Sequence, residues 1–286
     1  MDIINGKAIA AEILDGLKSL PKPEKFLAGV LVGDNPASLN FLKQKEKTAK
    51  ELDVDFRLYT FPTDIKNDDL RAEVRKIAEH KTCGGVVLQL PLPAHLNRHY
   101  ILNAIPREKD VDVLGERAVG AFFAGRNPVL PPAVGTVEKV CQVSGIKLQD
   151  TKVAIVGLGI LVGAPIATWI MEKGKEVYLL HKGSGFETLK IADLVISGVG
   201  KAGLITPDML KAEAGVIDFG YSETKTSRTD AGLTRTNAET KKISGDFDAE
   251  TLSLSHVALS FYTPTPGGTG PILVAKLLEN FYKLNY

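Results

Sequence analysis

The segment Thr151–Pro165 constrains the fold of this chain more than any other stretch. An apolar run, Val153–Val156, leads directly into Gly157, Gly159 and Gly163, and apolar residues with helical spacing follow. This pattern is typical of a strand, a tight turn and a helix start, which together let a backbone approach a pyrophosphate. Glycines also mark ordinary strand-to-helix turns, so the interpretation depends on the rest of the chain.

Composition limits the classes of protein that the chain can belong to. It has 286 residues, 44% hydrophobic and 24% charged, with a net charge of +1, which predicts two ordinary globular domains and no general affinity for nucleic acid or anionic membranes. No signal peptide or apolar membrane span is visible, and Cys83 and Cys141 are too few for a disulfide framework or a metal cluster. We therefore expect a cytoplasmic protein without a metal site.

The first half of the chain alternates strands with helices. Strands are predicted at Leu27–Val32, Phe56–Phe61 and Val86–Leu90, and helices at 6–20, from a Ser38 cap to Leu52, and at 68–80. Such alternation predicts βαβ units and a parallel sheet.

The second half predicts a more regular doubly wound unit. Its strands are Glu176–Leu180, Leu194–Ser197 and Val216–Phe219, a helix at about 134–144 precedes the glycine turn, Ser222–Lys242 reads as an exposed loop or hairpin, and Gly270–Tyr286 forms the last helix. The expected fold class is α/β with two domains, an N-terminal α/β domain and a doubly wound Rossmann dinucleotide-binding domain, with a cleft between them. The boundaries place residues 1–120 and 265–286 in the first domain and 121–264 in the second.

Lys45 lies on the apolar stripe of its predicted helix, with Leu42, Ala49 and Leu52. A lysine on such a face loses hydration, which lowers its pKa and makes a neutral amine accessible. The alternative is a lysine whose amine reaches solvent at the edge of the stripe.

Three other segments carry candidate polar groups. Gln89 ends an apolar strand, where open parallel sheets bind ligands, although it is equally suited to be the point where the strand meets solvent. Asp110 and Asp112 flank Val111 in what is either a charged turn or a grip on a polar heterocycle. The segment 262–271 is rich in proline and glycine and can wrap a ligand, with a proline that could be cis, or can be an ordinary loop.

These segments together resemble one family nearly end to end. The resemblance is carried by Ile4–Ala10, Val32–Ser38 with Lys45, Val87–Pro93, Lys109–Asp112, Val156–Pro165, Ala192–Ser197, Gly200-Lys201, Val216–Gly220, Gly245-Asp246 and Thr263–Pro271. Gln-Leu-Pro-Leu-Pro and Pro-Gly-Gly-x-Gly-Pro are its most specific motifs. The chain is similar to the bifunctional methylenetetrahydrofolate dehydrogenase/cyclohydrolase family.

The resemblance implies a two-step reaction of one-carbon metabolism that also serves purine biosynthesis. 5,10-Methylenetetrahydrofolate is oxidised by hydride transfer to NAD(P)⁺, and the 5,10-methenyl product is hydrolysed to 10-formyltetrahydrofolate. By resemblance, Lys45 is the amine of tuned pKa, Gln89 is its hydrogen-bonding partner and Asp112 holds the pterin ring. The implied folate-binding residues are Phe41, Leu88, Leu90, Pro266, Gly267, Gly268, Thr269 and Gly270. A homodimer is implied as well.

The chain departs from the family pattern at five places around this site. Phe41 replaces a tyrosine, Gly159 replaces a serine and Thr269 replaces a valine. Val113 replaces a glycine, a change that could shift Asp112. The segment 130–133 replaces Pro-Cys-Thr-Pro. Two alternatives therefore remain: a chain that retains one of the two activities, and a folate-binding protein that has lost catalysis.

The cofactor preference is predicted from the second strand of the Rossmann unit. A site for NAD usually has an acid at the end of this strand, whereas here the strand is followed by His181, Lys182 and Ser184. A cation and a hydroxyl suit a 2′-phosphate, which predicts NADP over NAD. The expected cofactor-binding residues are Gly157, Leu158, Gly159, Gly163, His181, Lys182 and Tyr221.

A dehydrogenase of the shikimate type is the nearest enzymatic rival, because it also pairs a lysine with an aspartate across two α/β domains. That class has no use for Gln-Leu-Pro-Leu-Pro or for the Pro-Gly-Gly segment near the end of the chain.

Overall fold

The computed structural model describes residues 1–226 and 240–286, which form two compact α/β units. One unit contains residues 1–7 and 137–271, and the other contains residues 8–136 and 272–286. The strands are β1 (Asp2–Ile3), β2 (Phe26–Val32), β3 (Phe56–Phe61), β4 (Cys83–Leu88), β5 (Lys152–Val156), β6 (Glu176–Leu180), β7 (Leu194–Ser197), β8 (Gly215–Asp218), β9 (Ser222–Thr226), β10 (Thr240–Ser244) and β11 (Phe261–Tyr262).

An α-helix or a group of α-helices separates each of the first five strands from the next, which agrees with the predicted alternation. The helices are α1 (Gly6–Lys18), α2 (Pro36–Glu51), α3 (Asn67–Glu79), α4 (Arg98–Leu102), α5 (Glu116–Phe123), α6 (Pro132–Val143), α7 (Gly163–Ile170) and α8 (Thr269–Lys283). Across the described ranges, no helix has the length and hydrophobicity needed to span a bilayer.

The unit of residues 8–136 and 272–286 is built on a parallel three-stranded sheet in the order β3-β2-β4. Every residue of β2 is buried, because alternate side chains enter the cores on opposite faces of the sheet. Val30 packs with Val74 of α3 and Ile101 of α4, whereas Leu27 packs with residues of α1, α2 and α8 such as Phe281. A fully buried side chain of this size contributes about 1.5–3 kcal/mol.

The other unit contains a parallel six-stranded sheet in the order β1-β11-β8-β7-β5-β6. The chain runs from β5 outward to β6 and then returns to β7 on the other side of β5. The strand order therefore reverses between β5 and β7, and ligands of open parallel sheets bind outside the carboxyl ends of the strands at such a point.

The boundaries between the two compact units differ from the expected domain boundaries, which were placed after residues 120 and 264. Asp2–Ile3 pairs with Phe261–Tyr262 and so joins the six-stranded sheet, while α6 and α8 each run through a unit boundary. The ligand that each unit binds stays a prediction. The segment Ser222–Lys242 was expected to form a loop or a hairpin. Its two ends belong to β9 and β10, which pair as antiparallel strands, and residues 227–239 lie outside the described residues.

Candidate functional site

The buried face of α2 carries Lys45. Ser38, Leu42, Lys45 and Ala49 are the buried residues of this helix and follow one another at helical spacing, as the sequence predicts. The predicted cap at Ser38 is wrong, because Asn35 Oδ1 accepts a hydrogen bond from the Ser38 main-chain N–H at 3.1 Å. Pro36 is the first helical residue, so the capping side chain is the one that precedes it.

Lys45 and Gln89 form a buried pair in which the amine donates to the amide. Lys45 is 9% exposed, and its Nζ lies 3.2 Å from Oε1 of Gln89, which is 8% exposed. Gln89 follows β4, and its Nε2 donates to the carbonyl oxygen of Leu90 at 2.8 Å. That second bond fixes the amide so that its oxygen faces the lysine.

Burial and the attraction between their charges shift the pKa values of Lys45 and Asp112 in opposite directions. Burial lowers the pKa of Lys45, and the charge of Asp112 opposes this shift. Burial raises the pKa of Asp112, and the charge of Lys45 opposes that shift. An amine with a lowered pKa gives up its proton more readily than an ordinary lysine, so it is better suited to exchange protons with a bound reactant.

The turn from residue 110 to residue 115 holds Asp112. The carboxylate of Asp110 accepts hydrogen bonds from the main-chain N–H groups of Leu114 at 2.9 Å and Gly115 at 2.8 Å. Burial raises the pKa of Asp110 to about 7, and the neighbouring charge of Asp112 adds to the shift. Val113 is buried with a φ of +58°, a left-handed conformation that is costly for a β-branched residue.

The last helix also contacts this turn. Nδ2 of Asn280 donates to the carbonyl oxygen of Val111 at 2.9 Å and to that of Leu130 at 2.7 Å. The carbonyl that precedes Asp112 is therefore tied to α8, and the segment 130–133 is tied to the same side chain through Leu130.

The remaining predicted folate residues differ in their surroundings. Phe41 and Leu90 are half-buried, whereas Leu88 is 3% exposed and packs in the core beside β2. Only the main chain of Leu88 can therefore meet a ligand without disrupting the core. Residues 266–270 belong to the other unit, where the Thr265–Pro266 peptide bond is cis, so the expectation of a cis proline in this segment is confirmed.

The glycine turn in the six-stranded unit has the geometry of a phosphate-binding turn. Gly157 follows β5 with a φ of +85°, and a Cβ on Gly163 would lie 1.7 Å from the Gly157 carbonyl oxygen. Side chains are therefore excluded at both positions, and α7 starts directly against the turn. Around Gly159 a Cβ would meet nothing within 4 Å, so a side chain there is sterically allowed. Leu158 is half-buried between these glycines.

The predicted 2′-phosphate residues follow β6, the edge strand next to β5. His181 and Lys182 are exposed, and the hydroxyl of Ser184 accepts from the His181 main-chain N–H at 3.1 Å. Tyr221 follows β8, and its hydroxyl donates to Glu223 at 2.6 Å. Burial and this hydrogen bond raise the pKa of Tyr221 to about 12, so it stays neutral at physiological pH.

Within one unit the structure brings together Lys45, Gln89 and Asp112, and the other unit contains the glycine turn, residues 181–182 and 221, and the segment 266–270. Sequence reasoning missed Asn280 as a support of the site. A polar residue on the apolar face of the last helix, beside Leu277 and Phe281, was the available signal.

Comparisons with known proteins give one consistent result. The model of the tetrahydrofolate dehydrogenase/cyclohydrolase catalytic domain matches residues 4–112, and that of the NAD(P)-binding domain of the same family matches residues 131–285. The bifunctional protein FolD of Geobacillus thermodenitrificans is 34% identical over 278 residues, covering 96% of this chain and 92% of that protein.

Relatives from Campylobacter jejuni are similar in sequence and in structure. Its bifunctional protein FolD is 32% identical over 292 residues, covering 99% of this chain and 98% of that protein. The crystal structure of a C. jejuni bifunctional FolD, a methylenetetrahydrofolate dehydrogenase/cyclohydrolase, superposes with a TM-score of 0.86 at 32% identity and covers 100% of this chain and 98% of that one.

Proposed function

Because the chain belongs to the tetrahydrofolate dehydrogenase/cyclohydrolase family, we propose that it oxidises 5,10-methylenetetrahydrofolate with NADP⁺ and then hydrolyses the 5,10-methenyl product to 10-formyltetrahydrofolate. The observation that carries the proposal is the buried hydrogen bond between Lys45 and Gln89, with Asp112 acting on the same amine. A protein that only bound folate would gain nothing from a desolvated lysine. Lys45, Gln89 and Asp112, in one unit, are assigned to the folate, and the glycine turn, in the other unit, is assigned to the dinucleotide.

The oxidation needs positioning more than acid or base catalysis. The folate nitrogen lone pair drives hydride departure as an amidinium forms, and NADP⁺ supplies the hydride acceptor when it is bound. Gly157, Leu158, Gly159 and Gly163 would receive the pyrophosphate, and the chain's task is to hold the two reactants against each other. We propose that Pro266, Gly267, Gly268, Thr269 and Gly270 close over the folate and that Phe41, Leu88 and Leu90 bind it.

The hydrolysis requires proton transfers, which we assign to Lys45. Its neutral amine takes one proton as water oxygen bonds to the cationic bridging carbon. The bond from that carbon to N5 then breaks as N5 receives a proton, which leaves the formyl group on N10 and releases one proton overall. Gln89 orients the amine, and Asp112 holds the pterin while its charge supports the protonated lysine.

One assay distinguishes this function from its alternatives. The protein is supplied with methylenetetrahydrofolate and NADP⁺, and the absorbance of methenyltetrahydrofolate is followed as it forms and decays. We expect both phases. Formation without decay would leave only the dehydrogenase, and tight folate binding without any methenyl signal would identify a binding protein.

Lys45→Met tests the role of the amine, because methionine keeps the length and the apolar contacts but cannot carry a proton. We expect hydrolysis of methenyltetrahydrofolate to fall at least about 100-fold while folate still binds. Lys43→Met, on the exposed side of the same helix, is the matched control and should change neither property. Undiminished hydrolysis in Lys45→Met would remove Lys45 from the mechanism.

The preference for NADP is assigned to Lys182, whose charge suits a 2′-phosphate, and to His181 beside it. Titration with both cofactors should give tighter binding of NADP⁺, and Lys182→Ala should weaken NADP⁺ without affecting NAD⁺. Lys175→Ala, at the opposite end of β6, is the control. Tighter binding of NAD⁺, or no loss for NADP⁺ in Lys182→Ala, would overturn the assignment. Tyr221 is assigned to the same site.

We also propose that the chain acts as a homodimer in the cytoplasm, on the basis of its family and composition. Light scattering should give a mass twice that of the 30.8 kDa chain. A monomer at micromolar concentration would contradict the dimer.

A further inference from the structure

Two motifs of the family pattern have no role in the chemistry described above. They are Asp218-Phe219-Gly220, at the end of β8, and Gly245-Asp246, after β10. Both aspartates are buried, with exposures of 1% for Asp218 and 0% for Asp246. Buried carboxylates are costly unless they are fully hydrogen-bonded, so their partners indicate what they do.

Asp246 gathers three donors from the end of β7 and the loop that follows it. Its Oδ2 accepts from the Ser197 hydroxyl and from the Val199 main-chain N–H, both at 2.7 Å. Its Oδ1 accepts from the Lys201 main-chain N–H at 2.7 Å. Both oxygens act as acceptors, which a carboxylate permits and an amide does not.

Asp218 makes a parallel set of bonds that ties the neighbouring segments together. Its Oδ1 accepts from the Gly220 N–H at 2.6 Å, and its Oδ2 accepts from the Phe247 N–H at 2.9 Å. The Asp218 carbonyl oxygen accepts from the Thr269 hydroxyl at 2.7 Å. This links β8 both to the Asp246 segment and to the first residue of α8.

Each of the two aspartates packs against a glycine of the other motif, Asp246 against Gly220 and Asp218 against Gly245. A Cβ on Gly220 would lie 2.4 Å from Cγ of Asp246, and a Cβ on Gly245 would lie 2.1 Å from Oδ2 of Asp218. Any larger residue at either position would displace a carboxylate and its hydrogen bonds.

The loop that Asp246 holds, residues 198–201, lies at the carboxyl ends of the strands where their order reverses. It packs directly on the glycine turn, since a Cβ on Gly157 would be 2.8 Å from Cγ2 of Val199 and a Cβ on Gly198 would be 2.6 Å from Cγ1 of Val162. The turn after β5 and the loop after β7 are therefore the two sides of the crevice at which a doubly wound sheet binds a dinucleotide.

We propose that Asp246 is a positioning residue for the dinucleotide: it fixes the Val199 and Lys201 amides and so holds the loop after β7 as the second wall of the cofactor crevice. The inference rests on the proposed function, which supplies the dinucleotide. It assigns to this carboxylate an effect on dinucleotide affinity and none on the water-adding step.

Asp246→Asn tests the inference, because asparagine keeps the volume but loses one of the two acceptor oxygens. We expect the KM for NADP⁺ in the dehydrogenase reaction to rise at least tenfold, with direct NADP⁺ binding weakened in parallel. Hydrolysis of methenyltetrahydrofolate supplied without NADP⁺ should stay within twofold of the unmodified protein, because Lys45, Gln89 and Asp112, to which the proton transfers and the pterin contact are assigned, lie in the other unit.

Asp193→Asn is the matched control. Asp193 also accepts a main-chain N–H, that of Lys152 at 2.8 Å, but it lies at the amino ends of the strands of the same sheet. This variant should leave the KM for NADP⁺ unchanged. An equal rise in both variants would show a general effect of loosening the sheet and would overturn the inference.

The remaining outcomes separate the inference from the proposed function. If the unmodified protein binds NADP⁺ and Asp246→Asn binds it equally well, or if the variant loses both activities in parallel, the inference alone fails. If the unmodified protein binds neither NADP⁺ nor NAD⁺, both fail. If Asp246→Asn does not fold, Ser197→Ala, which removes one donor, should still weaken NADP⁺ binding at least threefold, and unchanged binding would overturn the inference.

Discussion

Val113 adopts a backbone conformation that glycine takes readily and valine does not. Its φ is +58°, and its side chain packs with Ala118 and Val129. The backbone next to Asp112 is therefore of the kind that a glycine favours, while the valine adds buried surface and strain. These two contributions act in opposite directions, each at about 1–3 kcal/mol.

A pair of substitutions separates strain from packing at this position. Ala and Gly both remove the buried methyl groups of Val113, but only Gly relieves the left-handed strain of about 1–2 kcal/mol. We expect Val113→Gly to be at least as stable as Val113→Ala in urea unfolding. The same two substitutions at buried Val111, which has no positive φ, should give the usual order, with Gly less stable by about 0.5–1 kcal/mol. If the Gly variant were less stable than the Ala variant at position 113 as well as at position 111, the backbone strain at Val113 would be contradicted.

At the scale of the secondary-structure element, α8 acts as a brace for the turn that holds Asp112. Nδ2 of Asn280 uses both of its hydrogens on carbonyl oxygens of a distant segment. Because Asn280 lies on α8, both hydrogen bonds form only when this helix is docked.

We expect Asn280→Ala to lower the free energy of unfolding by about 2–4 kcal/mol, because two carbonyl oxygens lose a buried donor. Folate binding should weaken as well, since the Val111 carbonyl precedes Asp112. Asn285→Ala is the control: Nδ2 of Asn285 donates to Gly84 and Phe281 instead, so this variant should lose stability but keep its affinity for folate. Equal folate affinity in both variants would show that Asn280 does not support the turn that holds Asp112.

Elements with a long periodic pattern could be predicted from sequence, and short elements defined by distant partners could not. The strands Phe56–Phe61, Glu176–Leu180 and Leu194–Ser197 have the predicted bounds, and Lys45 lies on the buried stripe of α2. The two-residue strands β1 and β11 are too short to carry periodicity. They are defined by their pairing, β1 with β11, and β11 with β1 and β8. The Ser38 cap failed because Asn-Pro-Ala-Ser contains two capping residues, and Pro36 selects the first.

At the scale of the whole molecule, buried carboxyl groups, among them Asp110 and Asp218, influence how the free energy of unfolding depends on pH. The pKa of Asp110 is raised to about 7 and that of Asp218 to about 6, in both cases mainly by burial. The folded state then holds these protons more tightly than the unfolded state. Each group's stabilising contribution is complete below its ordinary pKa of 3.8 and is lost as pH rises through its raised value.

Asp110→Asn should remove one of these contributions, because asparagine does not titrate while its oxygen can still accept from Leu114 and Gly115. We expect the difference in unfolding free energy between the variant and the unmodified protein to shift in the variant's favour from pH 5 to pH 8. The shift is on the order of 2–3 kcal/mol at about 1.4 kcal/mol per pH unit. Thermal unfolding at a series of pH values measures it, and a constant difference would refute the raised pKa.

The pairing of β1 with β11 has a consequence for how the protein is made. Residues 2–3 meet their partners only when residues 261–262 have left the ribosome, which takes on the order of tens of seconds of synthesis. Gly6, just beyond β1, also packs against the segment assigned to cover the folate, where its Cβ would lie 1.7 Å from the Gly268 carbonyl oxygen. The nascent chain therefore cannot assemble this segment before residue 268 has been synthesised, so the contacts of residues 2–6 cannot guide the folding of the residues that lie between them and this segment.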